Sequence, residues 1–429
     1  MSGIPRGYKQ TGVGVIPEEW EVMRLDASTE PQRPISYGIV QTGANLPNGV
    51  PCLRVVDIND GTIEKSDLIR TSKRVSDAYR RTILKPGDLV MPLRGKVGDI
   101  GIVDSELEGA NLTRGVALLA VRKEHSAQYC RQFISWAATR KRLEQSMNGS
   151  ALQEIPIATL RRFTIALPSS GIEQRAIAEA LSDVDGLLGG LDRLIAKKRD
   201  LKQATLQQLL TGQTRLPGYR AEWPVKTFGQ LFTFSGGHSA SRDQLSTHGH
   251  CYLHYGDIHT SDRTVVDVSA DYADIPKLDV PLSRVSPSAL LDDGDVVFVD
   301  ASEDDEGTSK HVVVVNRERR PFISGLHTIV AKPKADDLAH AYCRYCFQTQ
   351  AIKDQFKFYA VGTKVSGISK GNIPKLTIPL PPKPEQTAIA EVLMAMDAEL
   401  AALERRREKT RALKQAMMQE LLTGRIRLV

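Results

Sequence analysis

Residues 173–216 read EQRAIAEALSDVDGLLGGLDRLIAKKRDLKQATLQQLLTGQTRL, and residues 385–428 read EQTAIAEVLMAMDAELAALERRREKTRALKQAMMQELLTGRIRL. The two stretches align without a gap at an offset of 212 and share 24 of 44 residues. A period of half the chain means two equivalent halves that end in the same element. That element reads as a long helix. Ser170 and Glu173 form an S-x-x-E capping box, and Pro384 sits in a first turn before Glu385. Thr211-Gly212 and Thr423-Gly424 place glycine where a helix end takes positive φ.

Apolar residues recur along the first copy at Ile177, Leu181, Val184, Leu188, Leu191 and Ile195. In the second they recur at Ile389, Leu393, Met396, Leu400 and Leu403, again in alternating steps of four and three. This is a heptad seam, so the helices are expected to pair as a coiled coil. Further on, the apolar positions spread over more than one face, which implies a docking surface for other subunits as well. Gly186, Gly189 and Gly190, matched by Ala398, Ala401 and Ala402, predict close approach of another backbone. The first helix leaves one half and the second leaves the other. Pairing therefore requires them to run antiparallel, as a rigid spacer with a globular head at either end.

The repeat extends outward from the helices. Trp20 matches Trp223 at the entrance of each half and is expected to anchor a core. PCLRVVDINDGTI and HCYLHYGDIHTSD read as strands running into turns closed by Asp57 and Asp257. Gly87-Asp88 and Gly294-Asp295 read as tight turns feeding apolar strands. AQYCRQFISWAATRKRLEQ and AHAYCRYCFQTQAIKDQFK read as helices, and RFTIALP and KLTIPLP as the last strands before the long helices. Loops differ where frames agree: the first half offers Arg94 and Lys96, the second Asp300, Glu303, Asp304, Asp305 and Glu306. One scaffold tuned to two targets accounts for that pattern.

The fold class is therefore α+β: two similar globular α/β domains and two long antiparallel helices. The expected boundaries are a first recognition domain with the N-terminal segment at 1–168 and a first spacer helix at 169–212. A second recognition domain follows at 213–381, with a second spacer helix at 382–429. A net charge of +6 and a pI near 8.9 suit a polyanionic partner without requiring one. Five cysteines without framework spacing point to a reducing compartment. The start MSGIPRGYKQTG has no apolar signal segment, and no run is long enough for a membrane span. The expected location is the cytoplasm.

Catalytic signatures do not emerge. No phosphate-cradling glycine loop, H-E-x-x-H motif or amino-methyltransferase signature occurs, and Thr11-Gly12-Val13-Gly14 reads as a turn. Cys343-x-x-Cys346 supplies only two ligands of a structural zinc site, and its first cysteine matches Cys130, so it reads as core. His248, His250, Cys251, His254 and His259 would be divided between sheet faces, so no metal site is expected. The candidate DNA contacts in the first half are Lys73, Arg74, Arg80, Arg81, Arg94, Lys96 and Arg114. In the second they are Arg242, Lys310, His311, Lys357, Lys364 and Lys370. Such side chains neutralise phosphates, and arginine also reads base edges.

The repeated EQ-x-AIAE, LKQA and LLTG segments, the tryptophan entrances and the TI-x-LP strands resemble the specificity subunits of type I restriction–modification enzymes. The resemblance runs through essentially the whole chain. It implies a non-catalytic subunit whose two domains each read half of a split, asymmetric site in double-stranded DNA through the major groove. The helices would set the gap and dock two modification (methyltransferase) subunits. Those partners would carry S-adenosylmethionine and methylate adenine, and two restriction/translocase subunits, where present, would use ATP and Mg. No cofactor is expected in this chain. Two other readings are a self-contained methyltransferase or nuclease and a coiled-coil adaptor. The missing motifs disfavour the first; the size of the globular halves disfavours the second.

Overall fold

A computed structural model describes residues 4–149, 153–261, 263–302, 309–360 and 366–428. The chain divides into two compact units, residues 1–192 with 405–429, and residues 193–404. Each unit is α+β and contains a stretch of both long helices, which run Gly171–Leu210 and Lys383–Leu421. Among the described residues no helix is long and apolar enough to cross a membrane.

In the first unit, strands Leu89–Pro92 and Val116–Leu119 form the middle of a four-stranded antiparallel sheet, flanked by Gly101–Ile102 and Ser36–Tyr37. Both central strands are buried along their whole length, because alternate residues face different cores. Leu89, Met91, Ala117 and Leu119 join Trp20, Tyr129 and Phe133 in one core, whereas Val90, Val116 and Leu118 join Leu53, Ile58 and Leu112 in another. A second sheet places Val50–Leu53 parallel to Asn111–Leu112 and antiparallel to Ile69–Thr71.

The second unit repeats this plan. Strands Val296–Val299 and Thr328–Pro333 pair antiparallel, with Val296, Phe298, Ile329 and Ala331 facing one core and Val297, Val299 and Val330 the other. His250–Leu253 runs parallel to Phe322–Ser324. The turns before the central strands are as expected: Gly87 and Gly294 have φ of 91° and 84°. Asp88 and Asp295 close them by accepting from the backbone of Lys85 and Asp292 at 2.7 and 2.8 Å. The last strands, Thr164–Leu167 and Thr377–Pro379, pair with Glu21–Arg24 and Val225–Thr227 beside the tryptophan entrances.

Several local expectations need correction. The stretches after Leu53 and Leu253 turn helical, as a 3₁₀ turn at Val55–Asp57 and an α-turn at Tyr255–His259. Asp57 does close its turn, accepting from the Arg54 backbone and guanidinium, both at 2.7 Å. The helical stretch of the first half breaks at Trp136, with φ −63° and ψ 137°, into Ala127–Ser135 and Ala137–Glu144. The N-terminal TGVG is the turn of a hairpin pairing Tyr8–Thr11 with Gly14–Pro17. The first long helix continues through Gly186 and Gly190, and a methyl group at either would meet nothing within 4 Å, so no backbone approaches there. All five cysteines are buried and reduced, and burial pushes Cys52 up to about 11 and Cys130 up to about 12.

The start of each long helix is held by a buried acid. Ser170 accepts from the Glu173 backbone at 3.4 Å, as the capping box requires. The Glu173 side chain, expected to complete the box, instead binds the Arg427 guanidinium at 2.5 and 2.7 Å. In the second unit Glu385 binds Arg215 at 2.6 and 2.7 Å. Arg215 and Arg427 lie 212 residues apart, as do Glu173 and Glu385, so the two latches are one interaction made twice. The neighbouring glutamines repeat as well. Gln174 donates to Pro168 and accepts from the Ser126 backbone, while Gln386 donates to Pro381 and accepts from the Ala339 backbone. The helix ends carry Gly212 and Gly424 at φ 72° and 69°, as expected.

Replacing Arg427 with alanine strands Glu173, whose side chain is 1% exposed, without a counter-charge. The expected loss is roughly 2–4 kcal/mol, discounted from a fully buried pair because the guanidinium keeps some solvent. Urea unfolding of the full chain checks this, and adding Glu173→Gln should restore part of the loss.

Candidate nucleic-acid interface

Three loops of the first unit converge beyond the ends of its sheets. The backbone of Ile39 bridges Thr113, and Arg114 donates its backbone N–H to Ile39 at 2.8 Å. A methyl group on Gly38 would collide with the Leu112 carbonyl, so only glycine lets these segments cross. The same crossing recurs in the second unit, where Gly237 lies against the Gly325 carbonyl. Arg94 bridges Glu154, and a methyl group on Gly115 would meet Val55 at 2.7 Å and lie 3.7 Å from the Arg94 Nε. Lys96 bonds the Asn59 side chain on the adjoining turn. Arg94, Lys96 and Arg114 are therefore brought together, exposed, and without an ion pair to any described residue.

The other first-half candidates lie elsewhere. Lys73 and Arg74 are exposed on the helix Lys73–Ala78, and Arg80 and Arg81 on the turn Arg80–Thr82. This segment is tied by Ser76 and Tyr79 to Asn111, at the opposite end of the short strand from Arg114. Lys73 has an acid near, Asp77 at 3.8 Å, and among the described residues the other three form no ion pair.

The corresponding loops of the second unit carry different chemistry. Arg242 is exposed but paired with Asp257 at 3.2 Å. Lys310 donates to the His259 carbonyl at 2.6 Å, and Lys370 stands against Gly236 at the rim of the sheet. Lys357 is exposed on the helix Gln350–Tyr359, and Lys364 lies outside the described residues, as do Glu303, Asp304, Asp305 and Glu306.

His311 departs from its expected place. It is 5% exposed, packed on Phe298 and Phe347, with Nε2 3.2 Å from the Cys343 carbonyl. A side chain so enclosed does not reach a phosphate. Sequence reading also missed an aromatic and imidazole group on this face. His327, at φ 59°, meets Tyr255 edge-on at 5.5 Å and Asp300 at 3.3 Å, and His254 caps the next helix through Gly256 at 3.0 Å. The repeat would have found His327, which falls in the loop equivalent to the one carrying Arg114.

The helix seam serves two purposes. In the first unit Ile177 and Leu181 are buried with Met418, Leu421, Leu422 and Trp20. Asp185 pairs with Lys414 at 2.6 Å and Asp192 with Arg407 at 3.4 Å, so seven residues forward on one helix is seven back on the other. In the second unit Ile389 and Leu393 are buried with Leu206, Leu209, Leu210 and Phe228. There Lys198 binds Glu399 at 2.7 Å and Lys202 binds Asp397 at 2.5 Å. Leu191, Ile195 and Leu400 are buried, and Val184, Leu188, Met396 and Leu403 are half-buried. The apolar side chains left exposed are others: Ile172, Leu187 and Leu413 in the first unit, and Leu194, Leu201 and Met394 in the second. Among the described residues, no group of three or more His, Cys, Asp or Glu is arranged to hold a metal ion.

A family model described as "Type I restriction modification DNA specificity domain" matches residues 290–411. The EcoBI type I restriction enzyme specificity subunit of Escherichia coli is 28% identical over 222 residues, covering 50% of this chain and 46% of that one. This match spans about half the length of that relative. A Methanocaldococcus jannaschii chain assigned as the MjaX type I specificity subunit is 25% identical over 446 aligned positions, covering 98% of this chain and 96% of that one. This chain is similar to type I specificity subunits along nearly its whole length. Its fold agrees with that of the S subunit of a type I restriction–modification system from M. genitalium, at a TM-score of 0.54 and 15% identity. That comparison covers 94% of this chain and 96% of the other. A chain from a structural study of type I complex assembly gives a TM-score of 0.58 at 16% identity, covering 96% and 99%. Relatives and fold together support a role in DNA recognition within a restriction–modification system.

Burial pushes the His311 imidazole down to about 4 from its ordinary 6.5. The unfolded chain then binds the extra proton between those values, so stability is complete above pH 6.5 and falls as pH drops toward 4. The loss reaches at most roughly 3 kcal/mol. Thermal melts of the full chain across that range should show it, and His311→Gln should flatten this part of the profile.

Proposed function

We propose that the chain is the DNA-reading subunit of a type I restriction–modification complex, in which each globular part reads one half of a bipartite, asymmetric site through the major groove. The observation that carries this reading is one frame built twice with unlike loops on the same edge. Arg94, Lys96 and Arg114 form a cationic group in the first unit, while His327, Tyr255 and a compensated Arg242 stand on the second. Free cations suit backbone phosphates and guanine edges, and imidazole and phenol groups suit other base patterns. Two unlike readers on one chain account for an asymmetric target.

The recognition parts are assigned to residues 1–168 and 213–381, and the spacer helices to 169–212 and 382–429. The chain itself is not the catalyst. Two modification subunits would dock on the long helices, bring S-adenosylmethionine and methylate adenine, and restriction subunits would bring ATP and Mg. The exposed Leu187, Leu194 and Leu201 recur at seven-residue intervals on the first helix, and Leu413 is 57% exposed on the second. Buried seam positions hold the helices together; these exposed ones are suited to a partner helix.

Binding of the chain with its modification partner to target and unrelated duplexes, measured over a range of salt, tests the reading. Preference for one split sequence with steep salt dependence is expected; equal binding to both duplexes would falsify it. Methyl transfer by the chain alone would replace it with a self-contained enzyme. A further test concerns the helices as a ruler. Inserting one heptad into each long helix, so that their pairing register is kept, should lengthen the preferred gap and leave both half-sites unchanged. An unaltered gap in mapped methylation sites would remove the ruler.

A further inference from the structure

Helices Ala137–Glu144 and Ile157–Arg162 of the first unit border an open cleft of about 390 Å³ that contains two guanidinium groups and no carboxylate. Arg142 and Arg162 line it with Gln145, Ser146, Thr159 and Thr164. Arg142 is half-buried. Its Nη2 donates to the Thr164 carbonyl at 3.0 Å and hydroxyl at 3.1 Å, and its plane lies 4.6 Å from the Phe163 ring centre. Neither arginine forms an ion pair with a described residue. Burial lowers the pKa of Arg142, and no carboxylate acts to raise it again. A partly desolvated cation with no opposite charge is costly, and an anion in the cleft would offset that cost.

The repeat provides an internal control. At an offset of 213, Gln355 stands where Arg142 does, donating to the Thr377 carbonyl at 3.0 Å and accepting from the Thr377 backbone at 2.7 Å. A neutral amide is thus enough to hold this strand, and the charge of Arg142 is spare. The second cation differs in the same sense. Lys375, at the place of Arg162, lies 5.8 Å from the Tyr359 ring centre and bonds Asn372 at 2.9 Å. In the first unit Ser146 replaces that tyrosine, so the ring that occupies Lys375 has no counterpart beside Arg162.

We propose that this cleft is a phosphate-binding site, with Arg142 and Arg162 as its cations and the Thr159 hydroxyl as a further donor. Planar guanidinium forks match phosphate oxygens in pairs, and the stack on Phe163 holds one fork in place beforehand. The phosphate is a DNA backbone diester if the DNA-reading function holds, on which this part rests. Free phosphate would use the same groups.

Arg142→Gln copies the solution of the second unit and keeps a donor for Thr164, so the fold is retained. Arg162→Ala removes an exposed side chain and provides an independent variant. With the modification partner, each substitution should weaken target and unrelated duplexes alike, by about 5- to 10-fold, and make the slope of log K against log salt shallower by about 0.9. In parallel, inorganic phosphate should raise the melting temperature of the wild-type chain more than that of either variant. A shallower slope identifies the backbone diester. An unchanged slope with a selective response to phosphate identifies the free anion as ligand. Unchanged slopes together with equal phosphate responses overturn the site. Continued sequence preference by the wild-type complex would then leave the DNA-reading function intact.

Discussion

The buried pair between the first acid of one long helix and an arginine just past the end of the other is the constraint on which the rest depends. Glu173 and Glu385 are 1% exposed at their side chains, a position no carboxylate holds without a cation. Arg427 and Arg215 supply it, so each helix start is closed by the tail of the opposite helix, 254 and 170 residues away in sequence. Around each pair stands a tryptophan: the Trp223 Nε1 donates to Glu385 at 2.9 Å, and Arg427 lies 5.8 Å from the Trp20 ring centre. This ties the domain entrance, the helix start and the helix tail at one point. The glutamine that follows each acid then joins the same point to the next helix of the globular frame. Antiparallel direction, which a heptad pattern alone leaves open, follows from these local demands.

The sheets explain why the two halves can share a frame and differ in chemistry. Each central strand faces a core on both sides, so its residues are bound by volume and alternation in both copies. Loops beyond the strand ends meet no such demand away from close backbone crossings such as those at Gly38 and Gly237. Charge can therefore change from a guanidinium cluster in one unit to imidazole and phenol in the other at little cost to folding. Function is free to diverge at the edge because stability is settled in the layers beneath.

Much of the frame was legible in the sequence. The repeat, the seam, the positive-φ glycines after the helices and the turns before the central strands are properties of spacing and local conformation, and the sequence displays both. What escaped depended on distant partners. Glu173 looked like a cap for its own helix because its arginine lies at the far end of the chain. His311 looked like a surface base because its strand reads HVVVV, and alternation does not say which core receives the imidazole. The segment after Leu53 looked extended, yet the Arg54–Asp57 pair folds it into a turn. Gly186 and Gly190 looked like contact points, but small residues report only that nothing large is needed. At the candidate interface, Arg94, Lys96 and Arg114 were legible as residue types; that they converge follows from a backbone crossing visible only in the fold.

A duplicated chain also carries its own comparison set. Where both copies spend the same residue on the same bond, as at Glu173 and Glu385, the bond belongs to the architecture. The pairs Asp185–Lys414 and Asp397–Lys202 belong to it too, since their members sit 212 residues apart. Where the copies make the same bond with different residues, the difference between them is what the architecture does not need. Arg142 and Gln355 both hold the threonine of the last strand, and only one brings a charge. A charge kept in a partly buried place where the strand does not need it is open to an anion from outside the chain. The second unit already shows the strand standing without the charge, held by the neutral amide of Gln355.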